Sequence, residues 1–294
     1  METNEMPAVI IGHDMSAELA AHVSNALQGI GVVVKTNGFA PPNRQAKVIV
    51  VISPKGGSGK TAVSTNLAVA LAQRHPGRVA AVDLDVQFGD LGAALSLTPE
   101  RTLAQLARAT KIDATTVKLF LTLYYNGLYV LAGADDPADA DSIAPAHVTQ
   151  VLPLLAQNFD YVIVDTAAGL DERTLAAIEC ATDLLLVSSL DVTSIRSLRK
   201  EMDALDHIGV TADRHLVLNR ADSKVGLKSS DAEAAIGMKI WCSIPSSREI
   251  PLSLNMGTPV VISEPKSAVA KQLQLLAGLY APVASNKSHK AGRK

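Results

Sequence analysis

With 294 residues, 48% of them apolar and 3% aromatic, the chain has material for one large α/β core built mainly from Ala, Val and Leu. Its net charge of −2 excludes a general electrostatic pull toward nucleic acid, and two distant cysteines, Cys180 and Cys242, without CxxC spacing exclude a disulfide framework or a cysteine metal site. No apolar run is long enough to span a membrane, and the N-terminus lacks the basic-then-apolar pattern of a signal peptide, so a cytoplasmic chain with at most peripheral membrane contact is expected.

In chain order, AVIIG (8–12) reads as a strand, residues 16–31 carry apolar side chains at helical spacing, and GVVVKT (31–36) reads as a second strand. The prolines and polar residues of FAPPNRQAK read as a linker. Residues 1–38 are therefore expected to form a β-α-β extension, followed by a linker over 39–46. A piece of about 40 residues is marginal as an independent fold, which suits a docking or regulatory extension.

From residue 47 the pattern becomes regular. KVIVVIS (47–53), RVAAVDLD (78–85), YVIVDT (161–166), LLLVSS (184–189) and HLVLN (215–219) are near-continuous apolar runs, as expected of parallel strands buried on both faces. LYVLAG (128–133) and KIWCSIP (239–245) read as further strands, with helices at 61–75, 194–208 and 267–280. Alternating strands and helices predict an α/β fold over 47–282: a doubly wound, mostly parallel sheet with helices on both faces and ligands at the carboxyl ends of the strands. Residues 283–294, including Lys287, Lys290, Arg293 and Lys294, read as a basic disordered tail.

KGGSGKT (55–61) stands between a predicted strand and a predicted helix. Gly56, Gly57 and Gly59 allow a tight turn whose N–H groups face phosphate oxygens, with Ser58 and Ala62 completing the loop. Lys60 is placed to reach the β- and γ-phosphates and Thr61 to ligate Mg²⁺. The usual glycine ahead of the Gly-Lys pair is missing, and Lys55 stands inside the loop instead. Asp83 and Asp85 end the strand of VAAVDLD and by strand period share a face. Side chains there would sit beside the loop, where an acid can position a water that attacks the γ-phosphate. Asp165, at the tip of YVIVDT, supplies a carboxylate to the metal shell. Asn219 and Arg220 end a later strand, where an amide can read an adenine edge and a guanidinium can stack on the ring.

PKGGSGKT resembles the deviant Walker A motif of the ParA/MinD superfamily of P-loop ATPases, and the resemblance extends over residues 47–280. It implies ATP and Mg²⁺ as cofactors and an ATP-dependent homodimer in which Lys55 crosses to the partner's nucleotide, while slow hydrolysis is expected because no side chain in the site reads as a strong general base. It also implies that Asp85 positions the water, that Asp83 is the preceding acid near Mg²⁺, that Asn219 selects adenine, and that Ile244 and Pro245 flank the base. Ala167 and Ala168 stand where other members often carry switch prolines. The SPKGG start and DLDVQFGDLG resemble the CpaE/TadZ branch, which implies localisation of pilus-assembly machinery through a protein partner at the pole or membrane. The alternatives are a DNA-cargo partition ATPase, a MinD-like membrane-cycling regulator and a non-hydrolysing ATP-binding scaffold. Acids Glu201, Asp203 and Asp206 beside Arg196, Arg199 and Lys200 weigh against DNA, and Lys271 as the lone base of 267–280 weighs against a membrane helix.

Overall fold

The structure, a computed structural model, describes residues 46–281 except 135, 224 and 225, together with the strand backbone of 8–11 and 33–36. The chain divides into two compact units, 1–43 and 44–294. In the first, β1 (Ala8–Ile11) and β2 (Val33–Thr36) pair in parallel, with Ala8 opposite Val33. The predicted helix over 16–31, the linker up to residue 45 and the basic tail lie outside the described residues.

The second unit is built on eight strands: β3 (Lys47–Ile52), β4 (Val79–Leu84), β5 (Thr122–Tyr124), β6 (Leu128–Leu131), β7 (Tyr161–Thr166), β8 (Asp183–Ser189), β9 (Asp213–Asn219) and β10 (Ile240–Ile244). Their order across the sheet is β10-β9-β8-β3-β7-β4-β6-β5, and every neighbouring pair is parallel except β5–β6. The helices are α1 (Lys60–Arg74), α2 (Leu103–Ala107), α3 (Ala114–Leu119), α4 (Pro145–Ala156), α5 (Glu172–Glu179), α6 (Val192–His207), α7 (Ser229–Ile236), α8 (Glu249–Asn255), α9 (Val260–Ser263) and α10 (Ala268–Tyr280). None of them is long and apolar enough to cross a membrane.

Both faces of the central strands are buried, which is why their sequences run apolar without alternation. Ile49, Val51, Ile163, Leu185 and Val187 pack with Leu67 and Leu71 of α1 and Leu273 and Leu276 of α10. The alternate residues, Val50, Ile52, Val162, Val164, Leu184 and Leu186, are equally buried and belong to the face covered by α4 and α6. Each helix presents an apolar stripe, Val148, Val151, Leu152 and Leu155 on α4 and Ile195, Leu198, Met202 and Leu205 on α6. At about 25 cal/mol per Å² of apolar surface removed from water, such stripes supply most of the drive for docking the helices.

The expected doubly wound sheet is present, with two differences. β5 is an antiparallel edge strand absent from the sequence reading. It is joined to β6 through Asn126 and Gly127, both at positive φ (58° and 74°), a conformation in which Asn-Gly favours a hairpin. β4 ends at Leu84 rather than Asp85, and that single residue changes the geometry of the carboxylates below.

Candidate nucleotide-binding site

The loop over 53–59 connects the tip of β3 to the first turn of α1. Gly59 caps that helix in the left-handed region (φ 96°), and a Cβ there would stand 2.3 Å from Asn219 Nδ2. Both the backbone angle and the approach of Asn219 therefore require glycine. The amides of Gly56, Gly57, Ser58 and Gly59 donate to no protein acceptor among the described residues. Two of the loop's carbonyls are engaged: Asn219 Nδ2 donates to Ser58 O at 2.8 Å and the Arg220 guanidinium to Gly57 O at 3.3 Å. Free N–H groups at a helix N-terminus that holds no acid in its first turn make a ready anion cradle.

Beside the cradle, Asp165 at the end of β7 is 1% exposed. Its Oδ1 accepts from Ser64 Oγ at 2.8 Å, and the Thr61 hydroxyl acts electrostatically on the same carboxylate. Its Oδ2 is buried and has no partner among the described residues. Burial pushes the Asp165 carboxyl up to about 6, against the bond from Ser64, the Thr61 hydroxyl and the charge of Lys60. Asp83 lies opposite Asp165 in the β4–β7 register and is pushed well above the usual carboxylate range, by burial first and then by Asp165. Two adjoining carboxyls that resist ionisation, one with an orphaned oxygen next to the Thr61 hydroxyl, fit a divalent cation. No group of three or more His, Cys, Asp or Glu among the described residues could hold a metal alone. A Mg²⁺ at Thr61 and Asp165 would therefore complete its shell with phosphate oxygens and water, as this hard ion usually does.

Asp83 and Asp85 do not share a face, contrary to the expectation from strand period. Because β4 stops at Leu84, the chain turns at Asp85, and the Asp83 carboxylate accepts from Asp85 N (3.1 Å) and Leu91 N (3.2 Å). Asp83 thus braces the 85–91 loop from beneath and does not line the cleft. Asp85 does line it.

The cleft has a volume of about 620 Å³. Gly56, Gly57, Gly59, Lys60, Thr61 and Ala62 form its floor, and Asn219, Arg220 and Pro245 one wall. Ser58 is buried behind the loop, and Ile244 is 1% exposed in the core, reaching the site only through its carbonyl, which accepts from Ala221 N at 3.0 Å. Arg220 itself is at positive φ (52°), so the turn after β9 is held in a conformation few non-glycine residues adopt. Lys55 is half-buried outside the cleft lining, and its charge acts on Asp191, the N-cap of α6. Ala168 lines the cleft, and Gly169 N donates to Ser53 O at 3.0 Å, tying the loop after β7 to the phosphate loop.

Several lining residues escaped the sequence reading: Phe88 and Asp90 after β4, and Ser246, Ser247, Ile250 and Leu254 around the start of α8. Phe88, 77% exposed, had an available signal, since a lone aromatic in the polar stretch 85–90 has no core role. Ser64 had one too, as a hydroxyl one turn after Thr61 on the face that meets β7.

Sheet, cradle and carboxylates together define a P-loop nucleotide-binding protein. Residues 46–218 match the family described as AAA domain. The septum site-determining protein MinD of Thermotoga maritima is 27% identical over 236 residues, covering 78% of this chain and 86% of that protein. Among solved structures, a ParA family ATPase from Chlorobium tepidum is similar with a TM-score of 0.74 and 27% identity, over 79% of this chain and 99% of that one. The septum site-determining protein MinD complexed with Mg-ADP from Pyrococcus horikoshii follows at 0.73 and 25%, over 82% and 98%. The chain belongs to the AAA domain family matched here, within the ParA/MinD superfamily of P-loop ATPases.

Proposed function

We propose that this chain is an ATP-switched positioning protein of the ParA/MinD type, with ATP and Mg²⁺ as cofactors, that pairs with a second copy around bound nucleotide. The observation that carries the reading is the placement of Lys55. It belongs to the phosphate loop yet stands outside its own cleft, beside Asp191. A lysine so placed has no phosphate of its own to meet and suits a deviant Walker A lysine that reaches the partner's nucleotide.

Within the cleft, the loop amides and Lys60 hold the phosphates, while Thr61 and Asp165 hold the cation, with Asp83 bracing the loop that carries Asp85. Bound Mg²⁺ supplies charge neutralisation at the phosphates. Asp85 orients the attacking water; no stronger general base lines the cleft among the described residues, which favours slow turnover. Asn219 reads adenine with the one N–H and one carbonyl lone pair left after it donates to Ser58 O and accepts from Arg220 N, and Arg220 and Pro245 border the base. The resemblance of SPKGG and DLDVQFGDLG to the CpaE/TadZ branch favours pilus-assembly machinery as the cargo. A cell-division role is the second reading, favoured by the MinD relatives.

Light scattering on a sizing column tests the switch. Wild type is expected to pass from monomer to dimer with ATP and Mg²⁺ but not with ADP, and Lys55→Ala to stay monomeric in both. A mass that ignores nucleotide in both proteins would sink the reading and leave a constitutive scaffold.

A further inference from the structure

Gly57 and Gly59 stand at positive φ (72° and 96°) on either side of Ser58. Glycine passes between positive and negative φ at little cost, so the peptide planes of 57–58 and 58–59 have no intrinsic reason to keep one facing. Every peptide bond among the described residues is trans. In a planar trans unit the C=O and the following N–H point in opposite directions. Whatever holds the Gly57 and Ser58 carbonyls therefore also sets the direction of Ser58 N–H and Gly59 N–H.

Two consecutive residues, the last of β9 and the one after it, hold both carbonyls. Asn219 Nδ2 donates to Ser58 O at 2.8 Å and the Arg220 guanidinium to Gly57 O at 3.3 Å, across 161 and 163 residues of sequence. β8 lies between β9 and β3, so these bonds link strands that the sheet itself does not join. Asn219 is held in turn. Its Oδ1 accepts from Arg220 N at 2.9 Å, which leaves the amide nitrogen on the side of the loop. The same close approach puts a Cβ at Gly59 within 2.3 Å of that nitrogen. With the two carbonyls turned to the end of β9, the Ser58 and Gly59 N–H groups face the other way, and neither donates to a protein acceptor among the described residues.

We propose that Asn219 is a positioning residue for the phosphate loop: its bond to Ser58 O, with the Arg220 bond to Gly57 O beside it, sets the peptide planes so that their N–H groups are aimed at phosphate before any nucleotide arrives. The inference rests on 55–61 being the phosphate loop, and it gives Asn219 a task separate from reading adenine. One amide hydrogen serves the loop, and the other is left for a base. The donors of the cradle are thereby preorganised, and a phosphate does not have to select one facing of each peptide as it binds. A polyphosphate that carries no base then depends on Asn219 too.

Mg-pyrophosphate is the probe, titrated calorimetrically into the full chain. Asn219→Leu keeps the branched shape of the side chain and removes its donor. It is expected to bind Mg-pyrophosphate about fivefold to tenfold more weakly than wild type, as one lost hydrogen bond implies, and to lose at least as much affinity for Mg-ADP. The sequence holds one Ser-Gly dipeptide, at 58–59. Carbonyl-¹³C serine and ¹⁵N glycine supplied in cell-free synthesis therefore give a single carbonyl–amide cross-peak, from this peptide alone. Loss of the bond to Ser58 O moves that carbonyl resonance upfield in the nucleotide-free variant, which a general loss of stability does not do. Asn219→Ala repeats both measurements should the Leu variant fold poorly. An unshifted carbonyl or an unchanged Mg-pyrophosphate affinity would overturn the proposal, and loss of Mg-ADP alone would make Asn219 a reader of the base only. Wild type that binds Mg-ADP but no Mg-pyrophosphate would overturn it as well, since a preorganised cradle holds phosphate without a base. Wild type that binds neither ligand would instead overturn the phosphate-loop reading beneath it.

Discussion

Two buried aspartates stand at opposite ends of the same sheet and are treated in opposite ways. Asp183 starts β8 and is 2% exposed, and its carboxylate accepts from Lys47 Nζ at 2.9 Å, Thr182 Oγ1 at 2.6 Å and His215 Nε2 at 3.1 Å. Burial alone would raise it, but the bonds from His215, Thr182 and Lys47 outweigh burial and hold it below the usual carboxylate range. His215 in turn stacks on Trp241 at 3.9 Å, and Tyr280 meets Trp241 edge-on at 4.9 Å. Asp165 ends β7, is 1% exposed, and keeps one oxygen orphaned and its carboxyl raised to about 6. At the amino ends the Asp183 carboxylate is closed by satisfied bonds, with the buried Tyr280 hydroxyl the unpartnered group of that cluster among the described residues. The carboxyl ends hold unspent donors and acceptors, which is the condition for binding something else.

The comparison breaks first if functional-end substitutions disturb the fold. Asp85→Ala is expected to lower ATP hydrolysis about a hundredfold while leaving Mg-ATP binding and the melting temperature near wild type. A variant that hydrolyses at the wild-type rate would show that Asp85 does not orient the water. At the other end, Asp183→Ala is expected to cost about 2–3 kcal/mol in urea unfolding and leave Mg-ADP affinity unchanged, the cost being moderated because Lys47 is 40% exposed. Loss of nucleotide affinity without loss of stability would reverse the assignment of the two ends.

The smallest effect concerns pH. The raised carboxyls of Asp165 and Glu201 bind protons more tightly in the folded chain, so their contribution to stability is full at low pH and is lost as pH rises through about 6 and about 7. In EDTA the nucleotide-free protein is therefore expected to lose stability between pH 5 and pH 8. A melting temperature that rises over this range would contradict it, since the lowered acids Asp183 and Asp191 are ionised in both folded and unfolded chains above pH 5 and add no opposite trend there.

Much of the site was legible because its signals are local. The glycines, Lys60 and Thr61 fall within one loop, and Asp165 and Asn219 are tip residues of apolar runs that only a buried sheet explains. What escaped depended on chain geometry at a distance. Strand period predicted a shared face for Asp83 and Asp85, but where a strand stops is set by its neighbour, and β7 gives β4 no partner beyond Leu84 opposite Thr166. The short β5 was hidden because Leu123 and Tyr125 are both exposed, at 60% and 61%, which defeats a pattern based on burial. Glu201 read as part of a solvated charged face, since only the docked helix reveals that it occupies the apolar stripe.

The placement of β3 at the centre of the sheet has a consequence for how the chain is made. Its neighbours arrive late: Thr166 Oγ1 donates to Val51 O across 115 residues of sequence, and Lys47 reaches Asp183 across 136. The β5–β6 hairpin can close as soon as it leaves the ribosome. KVIVVI, by contrast, emerges early and waits, with both edges open, until more than a hundred further residues have been synthesised. During that wait it is the segment most exposed to mispairing or chaperone capture, and nucleotide cannot rescue it, because the cradle takes shape only after its own strand has been flanked.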